Sequence, residues 1–169
     1  MNKKKKSERF QKLIQDYKGI IYKVLQIYCK NAEDRKDVEQ EILLQLWKSL
    51  DNYNDSYKVS TWMYKIAMNV AISSYRKNSK TPKPLPASSI FSEKIEELNE
   101  EESPYKHILN HFIKELNEFD KALMLLYLED YSYKEIGELI GITETNVGSK
   151  LNRIKNKFKK KYQNGITGF

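Results

Sequence analysis

His107 and His111 lie four residues apart, the interval that brings two imidazoles to one face of a helix and within reach of one metal ion. No cysteine or carboxylate completes a ligand set around them, so the pair reads as two surface histidines. Cys29, the one cysteine of 169 residues, excludes an internal disulfide and points to a reducing compartment. It reads as a small buried residue. No other grouping of side chains suggests catalysis, so neither an enzymatic activity nor a cofactor, metal or small-molecule substrate is expected.

The side chains with most to offer recognise rather than react. The stretch SYKEIGELIGITETNVGSKLNRIKNKF runs from Ser132 to Phe158, and positions 150 to 161 hold seven basic residues and no acidic one. Ser132 with Glu135 three residues on fits a capping box, in which hydroxyl and carboxylate each satisfy an orphan amide. Ile136, Leu139 and Ile140 supply an apolar face, Gly141 can end the helix in a left-handed conformation, and Thr143 can cap the next. Val147, Leu151, Ile154 and Phe158 make one buried stripe at about 100° per residue. The opposite face holds Thr145, Ser149, Asn152, Arg153, Asn156 and Lys160, bordered by Asn146 and Lys157. Hydrogen-bonding side chains come first and cations later, the order needed by a helix whose N-terminal part meets base edges while the rest follows phosphates. A plain helical hairpin with a solvated face would share the spacing, but not the two caps, glycine turn and purely cationic end together. Gly148 interrupts this second helix at the edge of the polar face, at a cost of about 1 kcal/mol relative to alanine.

Two further segments present polar arcs. KVSTWMYKIAMNVAISSYRKN, Lys58 to Asn78, places Val59, Trp62, Met63, Ile66 and Val70 on one face and Tyr64, Met68, Ile72 and Tyr75 on the other, so this helix is packed on two sides. Its narrow polar strip is Lys65, Asn69 and Arg76, with Thr61 and Trp62 at the borders. Such a strip can track phosphates and stack an unpaired base, but by itself it reads more readily as core aromatics with snorkelling cations. The helix that starts near Asn31 buries Val38, Ile42, Leu43, Leu46 and Leu50. Its outer face carries Asp37, Gln40, Glu41, Leu44, Trp47 and Lys48, which reads either as a protein-binding patch or as packing of Trp47 against the first helix.

All apolar patterns along the chain have the helical period and none alternates like a strand, so the fold class is all-α. A first helix carries Phe10, Leu13, Ile14, Tyr17, Ile21, Val24, Leu25 and Tyr28 on one arc. A second runs from about Asn31 to Leu50 and a third from about Ser60 to Lys77. NSKTPKPLPASS, Asn78 to Ser89, is an extended break, and an acidic stretch from Glu93 to Glu102 follows. Helical spacing returns at Tyr105 with Ile108, Leu109, Phe112, Ile113 and Leu116. Asn117 can then cap a helix bearing Ala122, Leu123, Leu126 and Tyr127. Two small helical domains, 7–78 and 105–162, are therefore expected, joined by a flexible linker over 79–104.

Charge follows the same division. Residues 1–80 carry 17 basic and 9 acidic side chains, residues 81–104 carry 2 and 6, and residues 105–169 carry 11 and 8. Two basic blocks flanking an acidic connector suggest a nucleic-acid partner. Met1 to Lys6 reads as a disordered, solvated tail, and no apolar run after it suggests a signal peptide. No run approaches the roughly 20 apolar residues of a membrane span, and the expected location is the cytoplasm.

DRKDVEQEILLQLWKSLDNY, Asp34 to Tyr53, followed by STWMYKIAMNVAISSYRK, Ser60 to Lys77, resembles region two of bacterial sigma factors of the sigma-70 family. The helix-turn-helix stretch, preceded by LNEFDKALMLLYLEDY, resembles region four. Two regions with a linker between them, and nothing resembling region three or a long N-terminal extension, are similar to the extracytoplasmic-function (ECF) subfamily. The resemblance covers about four-fifths of the chain.

The resemblance implies a sigma factor that binds core RNA polymerase and directs promoter-specific initiation. It implies that Asp37, Gln40, Glu41, Leu44 and Trp47 meet the clamp helices of the β′ subunit. It also implies that the −10 element is recognised and opened by Asn54, Asp55, Ser56, Tyr57 and Lys58 of the loop, then by Thr61, Trp62, Tyr64, Lys65, Asn69 and Arg76. Region four would bind the β flap and read the −35 element through Thr145, Asn146, Ser149, Lys150, Arg153 and Lys157. The acidic linker would lie near the RNA path and mimic its charge, and an anti-sigma factor is a further partner the family admits. Two departures stand out: Gly148 takes a place usually basic, and Val38-Glu39 the place of a more apolar pair. The rival reading is a helix-turn-helix regulator that binds duplex DNA without polymerase.

Overall fold

The chain divides into two units, residues 1–102 and 103–169. A computed structural model describes residues 3–54, 56, 58–80 and 103–163, and among them there are helices and no strand. The acidic stretch Glu93–Glu102 and most of the proline-rich break lie outside the described residues.

The first unit is built from α1 (Lys3–Tyr28), α2 (Ala32–Ser49), a short 3-10 turn over Leu50–Asn52 and α3 (Val59–Lys80). α2 begins where Asn31 stops the chain in an extended conformation and its side chain accepts a hydrogen bond from the Asp34 amide at 2.8 Å. α3 outlasts the Lys77 end expected for it by three residues. α3 packs on both α1 and α2. Its two apolar faces account for this: Met63, Tyr64, Ala67, Met68 and Ala71 are all buried, as are Val24 of α1 and Ile42 and Leu46 of α2.

Two features of α1 differ from the expectation. The helix starts at Lys3, so the lysine run is its first turn and not a disordered tail. The Lys6 ammonium bonds the Asp51 carboxylate and lies 4.7 Å from the Trp47 ring centroid, which gives that turn partners. The helix also bends at Tyr17 (φ −121°, ψ 15°), two residues before its glycine, Gly19.

The second unit holds α4 (Pro104–Glu115), α5 (Glu118–Leu128), α6 (Tyr133–Ile140) and α7 (Glu144–Tyr162). The caps expected for the last three are in place. Asn117 accepts from the Phe119 and Asp120 amides, the Ser132–Glu135 box is reciprocal, and Thr143 accepts from the Asn146 amide. Gly141 closes α6 at φ +84°. Phe112, Ile113, Leu123, Leu126, Ile136, Val147, Leu151 and Ile154 form the core. Leu139 and Ile140 are only half-buried.

Candidate nucleic-acid interface

α6 and α7 form a helix-turn-helix whose turn is set by a close backbone approach. The Gly137 carbonyl accepts from the amides of Gly141 at 2.8 Å and Ile142 at 3.0 Å. A Cβ on Gly137 would fall 2.6 Å from the Ile142 carbonyl oxygen, so only glycine fits. The sequence offered a signal for this in the glycine within an eight-residue helix, but periodicity alone assigns it no role.

Seated this way, α7 exposes Thr145, Asn146, Ser149, Asn152, Arg153, Asn156 and Lys157, while Val147, Leu151 and Ile154 are buried. The cations are not one solvated block. Lys150 is half-buried with its ammonium 5.1 Å from the Phe119 ring, and Arg153 Nη2 lies 3.7 Å from Asp120 Oδ1. Lys155 lies 4.0 Å from the Tyr127 ring, whose hydroxyl holds the ammonium above its ordinary pKa. Lys161 bonds Glu115; this contact lowers the pKa of the carboxyl and raises that of the amine. Lys157, Lys159 and Lys160 are exposed. Gly148 faces Tyr133, where a Cβ would meet the ring at 3.5 Å in ordinary contact.

In the first unit, Lys65, Asn69 and Arg76 are exposed along α3, with Thr61 and Trp62 half-buried beside them. Trp62 is steadied by Tyr53, ring centroids 4.8 Å apart. Tyr64 does not belong to this strip. It is 1% exposed, because its helical phase puts it with Met68 in the core, and it cannot reach a base there. Asn54, Ser56 and Lys58 are exposed, and the Ser56 amide donates to Asn54 Oδ1 at 3.1 Å. Asp55 and Tyr57 lie outside the described residues.

The outer arc of α2 exposes Asp37, Gln40, Glu41 and Leu44. Trp47 packs edge-on against Phe10 of the first helix, ring centroids 5.2 Å apart, and keeps intermediate exposure. A groove between α2 and α3 is lined by Asp37 and Glu41 from one helix and Asn69 and Lys77 from the other. His107 and His111 are exposed, with His111 Nε2 3.4 Å from Glu115 Oε1. Among the described residues, no three His, Cys, Asp or Glu side chains cluster as a metal site, and no helix is long and apolar enough to cross a membrane.

Residues 13–81 match the Sigma-70 region 2 family and residues 107–158 match Sigma-70, region 4. The chain belongs to the sigma-70 family. It is an ECF sigma factor, which binds core RNA polymerase and directs promoter-specific initiation. Its relatives include the ECF RNA polymerase sigma factor SigM of Bacillus subtilis (strain 168), 28% identical over 162 residues that cover 91% of this chain and 95% of SigM. SigW of the same organism is 24% identical, with 89% and 87% covered. The fold is shared with the sigma factor RpoE of Bartonella quintana, crystallised with the anti-sigma factor NepR, at a TM-score of 0.61 and 18% identity over 89% of this chain and 93% of RpoE. It is also shared with CnrH in complex with the cytosolic domain of CnrY, at a TM-score of 0.64 and 14% identity over 93% and 89%. In this sigma factor, then, the helix-turn-helix is region 4 and the α1–α3 bundle is region 2.

Proposed function

We propose that this sigma factor reads the −35 element with α7, through exposed Thr145, Asn146, Ser149, Arg153 and Lys157 and half-buried Lys150 at their edge. We further propose that it captures the opened −10 strand along α3 with Thr61, Trp62, Lys65, Asn69 and Arg76, aided by the loop from Asn54 to Lys58. The observation that carries this is the order of side chains on α7: short hydrogen-bonding groups exposed at its N-terminal end and exposed cations toward its C-terminal end. Asp37, Gln40, Glu41, Leu44 and Trp47 dock on the β′ clamp helices, and the second unit meets the β flap. The protein does no chemistry of its own. It works in the cytoplasm, and melting is driven by stacking of captured bases, each worth about 1–3 kcal/mol.

Two structural neighbours were solved with an anti-sigma factor or a cytosolic partner domain, which supports an anti-sigma partner for this chain as well. Transcription by purified core polymerase, from a cognate promoter with and without the chain, tests the reading. Initiation that depends on the chain is expected. Duplex binding by the free chain together with chain-independent initiation would favour the helix-turn-helix regulator.

A further inference from the structure

Arg153 is a long, flexible reader, and the structure places a fixed carboxylate beside it. Asp120 is the third residue of α5, and its residue surface is 8% exposed. Its carboxylate is itself held: Oδ2 accepts from Asn117 Nδ2 at 3.0 Å, while the Asp120 amide donates to Asn117 Oδ1 at 2.9 Å. That leaves Oδ1 turned toward Arg153 Nη2 at 3.7 Å. The arginine side chain stays 65% exposed against 11% for the aspartate, so the guanidinium lies beside a fixed carboxylate at ion-pair distance and keeps most of its surface open. One turn earlier on α7, Lys150 lies over Phe119, the neighbour of Asp120. The first turn of α5 thus supports two adjacent long side chains on one flank of the reading face.

An ion pair this open contributes little to stability. Its effect lies in geometry: a guanidinium loses rotamer freedom when it is immobilised, and a carboxylate that restrains it before DNA arrives removes part of that loss from the binding step. We propose that Asp120 is a positioning residue for sequence discrimination, presenting the Arg153 fork to a base edge and restraining its use as a free phosphate-seeking cation. This rests on the reading of α7 as the −35 helix.

The test uses holoenzyme assembled from core polymerase and the full chain, with promoter DNA randomised over the −35 element. Asp120→Asn keeps size and the partner for Asn117 but removes the charge. It is expected to lower the preference at one base position about tenfold, while binding to DNA lacking a −35 element rises and its salt dependence steepens. A merely structural aspartate would instead lower all binding together. Arg153→Lys is expected to lose the same preference, and Asp120→Asn in that background to add nothing. Should Asp120→Asn not fold by thermal melting, Asp120→Glu keeps the charge and moves it outward by one methylene. The preference is then expected to fall with no change in salt slope. An unchanged preference in the folded Asp120 variant, with Arg153→Lys still losing it, overturns the inference alone. An unchanged preference in Arg153→Lys as well overturns the −35 assignment of Arg153.

Discussion

Gly148 and Gly137 sit eleven positions apart in one helix-turn-helix, yet substitution should act on them with opposite signs. At Gly148 a methyl meets the Tyr133 ring at 3.5 Å, an ordinary contact. Gly148→Ala is therefore expected to stabilise the second unit by up to about 1 kcal/mol through helix propensity, read by urea denaturation. At Gly137 the obstacle is a backbone oxygen at 2.6 Å, which cannot rotate away. Gly137→Ala should cost about 1–3 kcal/mol by the same measurement. Gly148→Lys adds a cation whose stem runs along Tyr133; higher promoter affinity and a salt slope steeper by about 0.9 are expected, and identical affinity at all salt concentrations refutes it. Cys29 differs from all of these in being chemically quiet. Burial, helped by Asp34 and opposed by Arg35, pushes its thiol from 9.0 to about 11. The native chain should react slowly with thiol reagents at pH 8. Because the folded value lies above the unfolded one, this group's stabilisation is complete below pH 9 and is lost as pH rises toward 11, visible as falling denaturation midpoints.

At the scale of elements, the caps at Asn31, Asn117, Ser132 and Thr143 all form as their sequence spacing implies, because a cap depends on three or four consecutive residues. Ser132→Ala removes one half of a reciprocal pair and should cost about 1 kcal/mol. Tyr64 shows where element-level reading fell short. The helical phase already placed it on an apolar face with Met68, Ile72 and Tyr75, outside the strip of Lys65, Asn69 and Arg76, and the family resemblance pulled it into the DNA set. Burial returns it to the core. The helical start at Lys3 also escaped the sequence, since the Asp51 and Trp47 partners of Lys6 in that first turn lie more than forty positions away.

For the whole molecule, polymerase binding is expected to depend on side chains that do not hold the first unit together. Leu44 is 43% exposed, so Leu44→Ala should weaken co-purification with core polymerase while leaving the thermal transition within about 0.5 kcal/mol of the parent. Trp47→Ala should do both kinds of damage, since its ring also packs on Phe10 and under Lys6. Retained binding in the double variant would remove the α2 arc from the polymerase interface.

The sequence by itself determined the helical class, the capped helix starts at Asn31, Asn117, Ser132 and Thr143, the apolar stripe of α7 and the family, because periodicity, capping and motif order are written in short windows of chain. Only the tertiary structure decided which cations of α7 are occupied at home. Lys150, Arg153, Lys155 and Lys161 find Phe119, Asp120, Tyr127 and Glu115. Those pairs join residues 28 to 46 positions apart, and such contacts exist only once α4 and α5 are packed against the recognition helix.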